Sequence, residues 1–196
     1  MKNLLLSFFL IPILAFSQNI QPDEFLWSAN RKLKKEDYKI LIYDQNATVR
    51  SSINLSWQLA GFSVFNKNFN QNVLNKFSGS SSAINPDLYN IETFINYQQL
   101  NFDLAEVYAR KMRRDLLANK STFWKGFDVA NQIMNQISSD FTRTQILMDS
   151  ETNQGTDSTQ VRIWEQKIKK ELEELSEFDY KNKSKIKINN VNKDII

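Results

Sequence analysis

The run Tyr97-Gln98-Gln99-Leu100-Asn101-Phe102-Asp103 lies in a long stretch of helical periodicity, which sets Tyr97 and Asn101 on one face with Gln98 beside them. Imidazoles at the first and fifth of these positions and a carboxylate at the second would hold zinc and activate its bound water. The chain has no histidine and no cysteine. Zinc is held by imidazole, thiolate or carboxylate. Tyr97 could coordinate only as a phenolate, which is costly from a reference pKa of about 10. Asn101 offers a neutral amide oxygen, a donor that suits calcium-like cations and binds zinc poorly. An amide at Gln98 does not accept a proton from water near neutral pH. No metal and no other cofactor is expected here.

Two further groups of polar residues have types and spacing that could do chemistry. Asp103 and Glu106 are three apart on one helical face and could act as a carboxylate pair, but no nucleophile or electrophile accompanies them in the sequence. With Arg110 they are read instead as groups that position the helix through hydrogen bonds or ion pairs. The run from Asp149 to Asp157 carries oxygen side chains at alternate positions, as a calcium loop does. Its glycine stands seventh rather than sixth, and Gln160 occupies the place of the bidentate glutamate, so a capped loop between two helices is the preferred reading.

The elements that must position these residues follow from periodicity. Tyr38-Lys39-Ile40-Leu41-Ile42-Tyr43 has the composition of a strand. Ile53, Leu55, Trp57 and Leu59 alternate with polar residues, and Phe62-Ser63-Val64-Phe65 follows after Gly61, predicting two neighbouring antiparallel strands. Residues 66 to 84, rich in Asn and Ser, read mostly as a surface loop. Asn85 and Pro86 mark a helix start, and one long helix is expected from about Tyr89 to Leu117 with Phe94, Tyr97, Leu100 or Asn101, Leu104, Tyr108 and Met112 as its stripe. A second helix is expected over Val129 to Leu147, with Val129, Ile133, Met134, Ile137, Phe141 and Ile146 inward. A third is capped at Asp157 and presents Val161, Trp164, Ile168, Leu172 and Leu175. Strands followed by helices predict an α+β fold, a small antiparallel sheet against the long helix and two others.

Residues 1 to 17 have the basic start, apolar centre and small residues Ala15 and Ser17 of a secretory signal peptide. The apolar run falls short of the about 20 residues a membrane span needs, so no stable membrane anchor is expected after cleavage. Residues 18 to 180 are expected to form one domain and 181 to 196 a basic, solvated polar tail. Zero cysteines exclude a disulfide framework, a thiolate metal site and a cysteine nucleophile. The formal charge is only +3, and residues 181 to 196 contain no aromatic residue for base stacking, so nucleic acid is not an expected partner.

The segment from Tyr97 to Arg113 resembles the signature helix of the DUF922 family of bacterial secreted zinc-dependent proteases, which reads much like H-E-Q-x-H-F-D-I-A-E-x-Y-A-R-K-L-R. Gln99, Phe102, Asp103, Ala105, Glu106, Tyr108, Ala109, Arg110, Lys111 and Arg113 match it, with Leu104 and Met112 as conservative exchanges. Met148-Asp149-Ser150-Glu151-Thr152-Asn153-Gln154-Gly155 is similar to a second family segment, Y-D-x-E-T-x-H-G, and Trp27, Leu33 and Asp37-Tyr38 look like its opening element. The resemblance implies a zincin-like fold. It sets the former zinc ligands at Tyr97, Asn101 and Gln154 and the former general base at Gln98. Every departure falls on the chemistry. The chain is therefore expected to be a secreted or periplasmic pseudoprotease, not an enzyme, whose former cleft holds a peptide or protein partner or serves a structural role. The alternative is a residual hydrolase with an atypical metal or carboxylate site.

Overall fold

The computed structural model describes residues 20–44 and 47–187. The expected signal peptide over residues 1 to 17 lies outside them, as do residues 188 to 196 of the tail. The chain is α+β: strands β1 (Glu24–Leu26), β2 (Ile40–Leu41), β3 (Val49–Trp57) and β4 (Val73–Ile84) precede helices α1 (Ile91–Ala118), α2 (Asp128–Glu151) and α3 (Ser158–Glu174). β4 is the central strand. β3 runs antiparallel along one edge of it, while β1, antiparallel, and β2, parallel, lie end to end on the other.

The expected all-antiparallel sheet is thus corrected to a mixed one. The segment between β1 and β2 contains a 3-10 turn at Lys35–Asp37, and it reverses the chain so that Ile40 and Leu41 meet Ala83 and Ile84 in parallel. Only Ile40 and Leu41 of the predicted strand 38–43 enter the ladder: Lys39 and Ile42 each add one backbone bond to β4, to the carbonyls of Gly79 and Ile84, while Tyr38 turns into the core and Tyr43 lies exposed past the end of β4. Phe62-Ser63-Val64-Phe65 does not form a strand either. It is a 3-10 turn, Gly61–Phe65, in which the Ser63 hydroxyl accepts from the Ala60 N–H at 2.9 Å.

The largest departure is β4 itself, which occupies the Asn- and Ser-rich stretch read as a surface loop. Its buried polar donors find acceptors only once the chain is folded: the Asn75 amide donates to the Phe102 carbonyl of α1 at 3.1 Å, although its oxygen has no partner, and the Ser82 hydroxyl donates to the Ser78 carbonyl at 2.6 Å. Small residues are also needed where β4 bulges against its neighbours. A Cβ at Gly79 would stand 2.4 Å from the Asp37 carbonyl oxygen. Tertiary packing overrides strand propensity here.

Helix α1 begins at Ile91 rather than near Pro86, with Asn90 at its N-cap. The expected cap, Asn85, is spent elsewhere: its amide donates to the Asp44 carbonyl at 2.8 Å and its oxygen accepts from the Asp87 N–H. The sheet covers one side of α1 and α2 and α3 cover the other, so charged residues of the helix are buried along with its apolar stripe. Phe77, Ile84, Ile95 and Phe102 form one core between sheet and helix. Leu104, Met112, Met148, Trp164 and Ile168 belong to the second, larger one.

Helix α2 runs one turn beyond its expected end, and Ile146, expected inward, is 63% exposed, while Met148 takes the buried position. Asp157 caps α3 as expected, accepting from the N–H groups of Thr159 and Gln160. The tail is not wholly solvated: the Asn68 amide donates to the Asn182 and Ser184 carbonyls, and Ile186 is buried. Among the described residues no helix is long and apolar enough to cross a membrane.

Candidate functional site

A cleft of about 360 Å³ opens between β3, the first turns of α1 and the last turns of α2. Tyr97, Gln98, Asn101 and Gln154 all line it, so residues far apart in sequence share one site. Gln154 reaches it through the turn that ends α2. Asn153, Gln154 and Gly155 all have positive φ, and the Gln154 N–H bonds the Asp149 carbonyl at 2.8 Å. Gly155 is required where it stands: its φ is +88°, and a Cβ would fall 2.4 Å from the Tyr97 ring.

Two of the four residues are committed internally. The Tyr97 hydroxyl donates to Asp149 Oδ1. Burial, and then this carboxylate, push the Tyr97 pKa up to about 12. Asn101 donates to the Tyr97 carbonyl at 3.2 Å and accepts from Gln145 at 2.9 Å. Among the described residues Gln98 and Gln154 have no side-chain hydrogen-bond partner, and Gln154 is exposed. Arg50, also at the cleft, forms no ion pair among them either.

This donor set does not fit zinc. Its one carboxylate, Asp149, is occupied by a phenol that would itself have to lose a proton at high pH to bind metal. Beside Tyr97, the side chains of Gln98, Asn101, Gln145 and Gln154 are neutral amides. Among the described residues no group of three His, Cys, Asp or Glu could surround an ion. The calcium-loop alternative also disperses: Asp149 holds Tyr97, Glu151 accepts from the Trp164 indole at 2.8 Å, and Asp157 caps α3.

Asp103, Glu106 and Arg110 do not line the cleft. Asp103 accepts from the Trp27 indole at 2.7 Å and from Gln99 at 2.6 Å, while Gln99 accepts from the Leu33 N–H at 2.8 Å. The N-terminal segment is thereby tied to α1. Glu106, 2% exposed, accepts from Arg110 at 3.1 Å and Arg113 at 2.8 Å. Arg110 continues to the Leu172 carbonyl and Asp179, and Arg113 to the carbonyls of Val73 and Phe178. These are supports, and the two carboxylates have separate partners.

Sequence reading missed Arg50, Gln145, Phe94, Phe141 and the neighbouring backbone of β3. Thr48, Val49, Arg50 and Ser51 all line the cleft. Successive strand residues point to opposite faces. Here Thr48 precedes β3 and the ladder is irregular between Arg50 and Ser52, so the cleft lies at the irregular start of β3, a strand that among the described residues pairs with β4 alone and leaves its other edge open. Alternation in 53–59 located the strand, which begins earlier, at Val49, but nothing in sequence marks which edge stays open. No family model, curated protein or solved structure matches the chain. The family resemblance therefore rests on the residues quoted above.

Proposed function

We propose that this chain is a secreted, zincin-like pseudoprotease that holds an extended peptide in its cleft without cutting it. The observation that carries this reading is the pairing of an open strand edge with free amides: β3 offers backbone N–H and C=O groups, and Gln98 and Gln154 face the same space unpartnered among the described residues. An added strand gains main-chain hydrogen bonds, and side-chain pockets supply selectivity. Phe94 and Phe141 give the cleft an apolar contribution, and Arg50 would favour a peptide with an acidic group.

Hydrolysis is disfavoured by the same chemistry. Gln98 is no general base, and the carboxylates Asp103 and Glu106 are engaged away from the cleft. The former-ligand assignment is tested by zinc analysis of the protein and of a variant with Tyr97→His, Gln98→Glu, Asn101→His and Gln154→His. Metal uptake by the variant alone is expected; stoichiometric zinc on the original chain would overturn the assignment. Peptide binding is tested by fluorescence polarisation with a panel of unstructured peptides. Binding weakened by Gln98→Ala with Gln154→Ala is the expected result, and either cleavage of the peptides or no binding across the panel contradicts it.

A further inference from the structure

Away from the cleft, two 3-10 turns stand side by side, Gly61–Phe65 and Lys120–Lys125. They carry three large aromatic side chains that the core does not use: Phe62, Phe65 and Trp124 are 69%, 72% and 67% exposed. Phe65 and Trp124 meet edge to face, with centroids 5.3 Å apart and planes at 84°. Lys120 fastens the two turns together by donating to the Asn66 carbonyl. The rings are thus held outward by a fixed scaffold. Exposed apolar side chains gathered in one patch mark an interaction surface more often than scattered ones do.

The charge around this patch indicates its partner. Beyond Phe65 the chain passes Lys67 to Asn68 and Asn70, whose amides bind the Asn182, Ser184 and Glu177 carbonyls. The lysine-rich run after Asp179 is thereby drawn to the same part of the molecule. Residues 61–70, 119–127 and 180–187 together contain seven lysines, at 67, 120, 125, 181, 183, 185 and 187, with no carboxylate and no arginine. All but Lys120 are exposed. Among the flanking carboxylates, Asp115 is held by Arg114 and Asp179 by Arg110, and Asp128 and Glu177 stand at the margins.

We propose that this surface docks reversibly on an anionic membrane, with Phe62, Phe65 and Trp124 entering the headgroup region and the lysines held by the negative surface potential. The amphipathic indole of Trp124 settles at that depth and the two phenyl rings bury beside it, and a weak apolar contact becomes stable attachment when joined to a polybasic patch. Nucleic acid is the lesser fit. Rings packed edge to face do not form a common stacking platform, and no arginine is present to grip phosphates in two-point fashion.

The test is sedimentation of the purified protein with vesicles of phosphatidylcholine alone or mixed with phosphatidylglycerol, at low and raised ionic strength. Only the mixed vesicles are expected to carry the protein down, less so as salt rises. Tryptophan emission should shift to the blue on binding, and Trp124→Phe should abolish the shift while leaving attachment in place. Phe65→Ser with Trp124→Ser should weaken attachment by roughly tenfold or more. Changing Lys67, Lys125, Lys183 and Lys185 to Gln should weaken it by roughly a hundredfold or more, at about fivefold per lysine. All of these side chains are exposed, and circular dichroism checks that the variants fold. No sedimentation with either vesicle, equal sedimentation with both, or unchanged Trp124 emission in the bound state would each overturn the proposal. So would binding to a single-stranded oligonucleotide with no binding to vesicles.

Discussion

The two long faces of α1 use similar polar residues to opposite ends. On one, Gln99, Asp103, Glu106, Arg110 and Arg113 meet the N-terminal segment, β4, α3 and the turn after it, and their polar groups find partners inside the protein. On the other, Tyr97 and Asn101 are paired while Gln98 is left open to the cleft with Gln154 across from it. Buried charge is tolerated only where it is matched. An open amide at a cleft loses little by staying in water, so it is free to bind something else.

The comparison can be broken hardest at Glu106. Glu106→Ala would leave two guanidinium groups buried without their shared carboxylate, and a loss of about 3–5 kcal/mol is expected in urea unfolding. Gly155→Ala comes next. It forces a Cβ into the Tyr97 ring and an L-residue into left-handed backbone, for about 2–4 kcal/mol, and cleft binding should fall with it because Gln154 is displaced.

Tyr97→Phe sharpens the contrast within the cleft face. Removing the donor to Asp149 should cost about 1–2 kcal/mol near neutral pH. Tyr97 also bears on alkaline stability. Its pKa is raised to about 12 in the folded protein, from an ordinary value of 10.0, so the unfolded chain loses this proton first as pH rises. The contribution is complete below pH about 10 and is lost as pH climbs toward 12. Urea unfolding across that window should show a shallower decline in the Phe variant. Tyr38, likewise raised to about 12 by burial, remains in both proteins as an internal reference. The smallest effect is expected from Gln98→Ala with Gln154→Ala, within about 0.5 kcal/mol of the original stability. A large loss from that pair would mean the amides support the fold, and the contrast between the faces would fail.

Much of the helical part was legible because apolar spacing survives whatever packs against it: α1, α2 and α3 begin and end within a few residues of their expected bounds, and Asp157 caps as read. β4 was not legible. Its Asn and Ser residues resemble a loop until Phe102, Ser78 and Asp37 are brought beside them to accept hydrogen bonds or exclude a side chain. The same holds for Ile146 and Met148, which point to nearly opposite sides of α2, so that which of them is buried depends on the side its neighbours occupy.

By itself the sequence determined which donors exist. Lacking imidazole and thiol, this chain can present only a phenol and amides at Tyr97, Asn101 and Gln154, and no folding can add a missing functional group. Which of those amides are spent and which are left open was decided by tertiary structure alone. Hydrogen bonding is a matter of neighbours within about 3 Å, and those neighbours, Asp149 for Tyr97 and Gln145 for Asn101, come from a different helix.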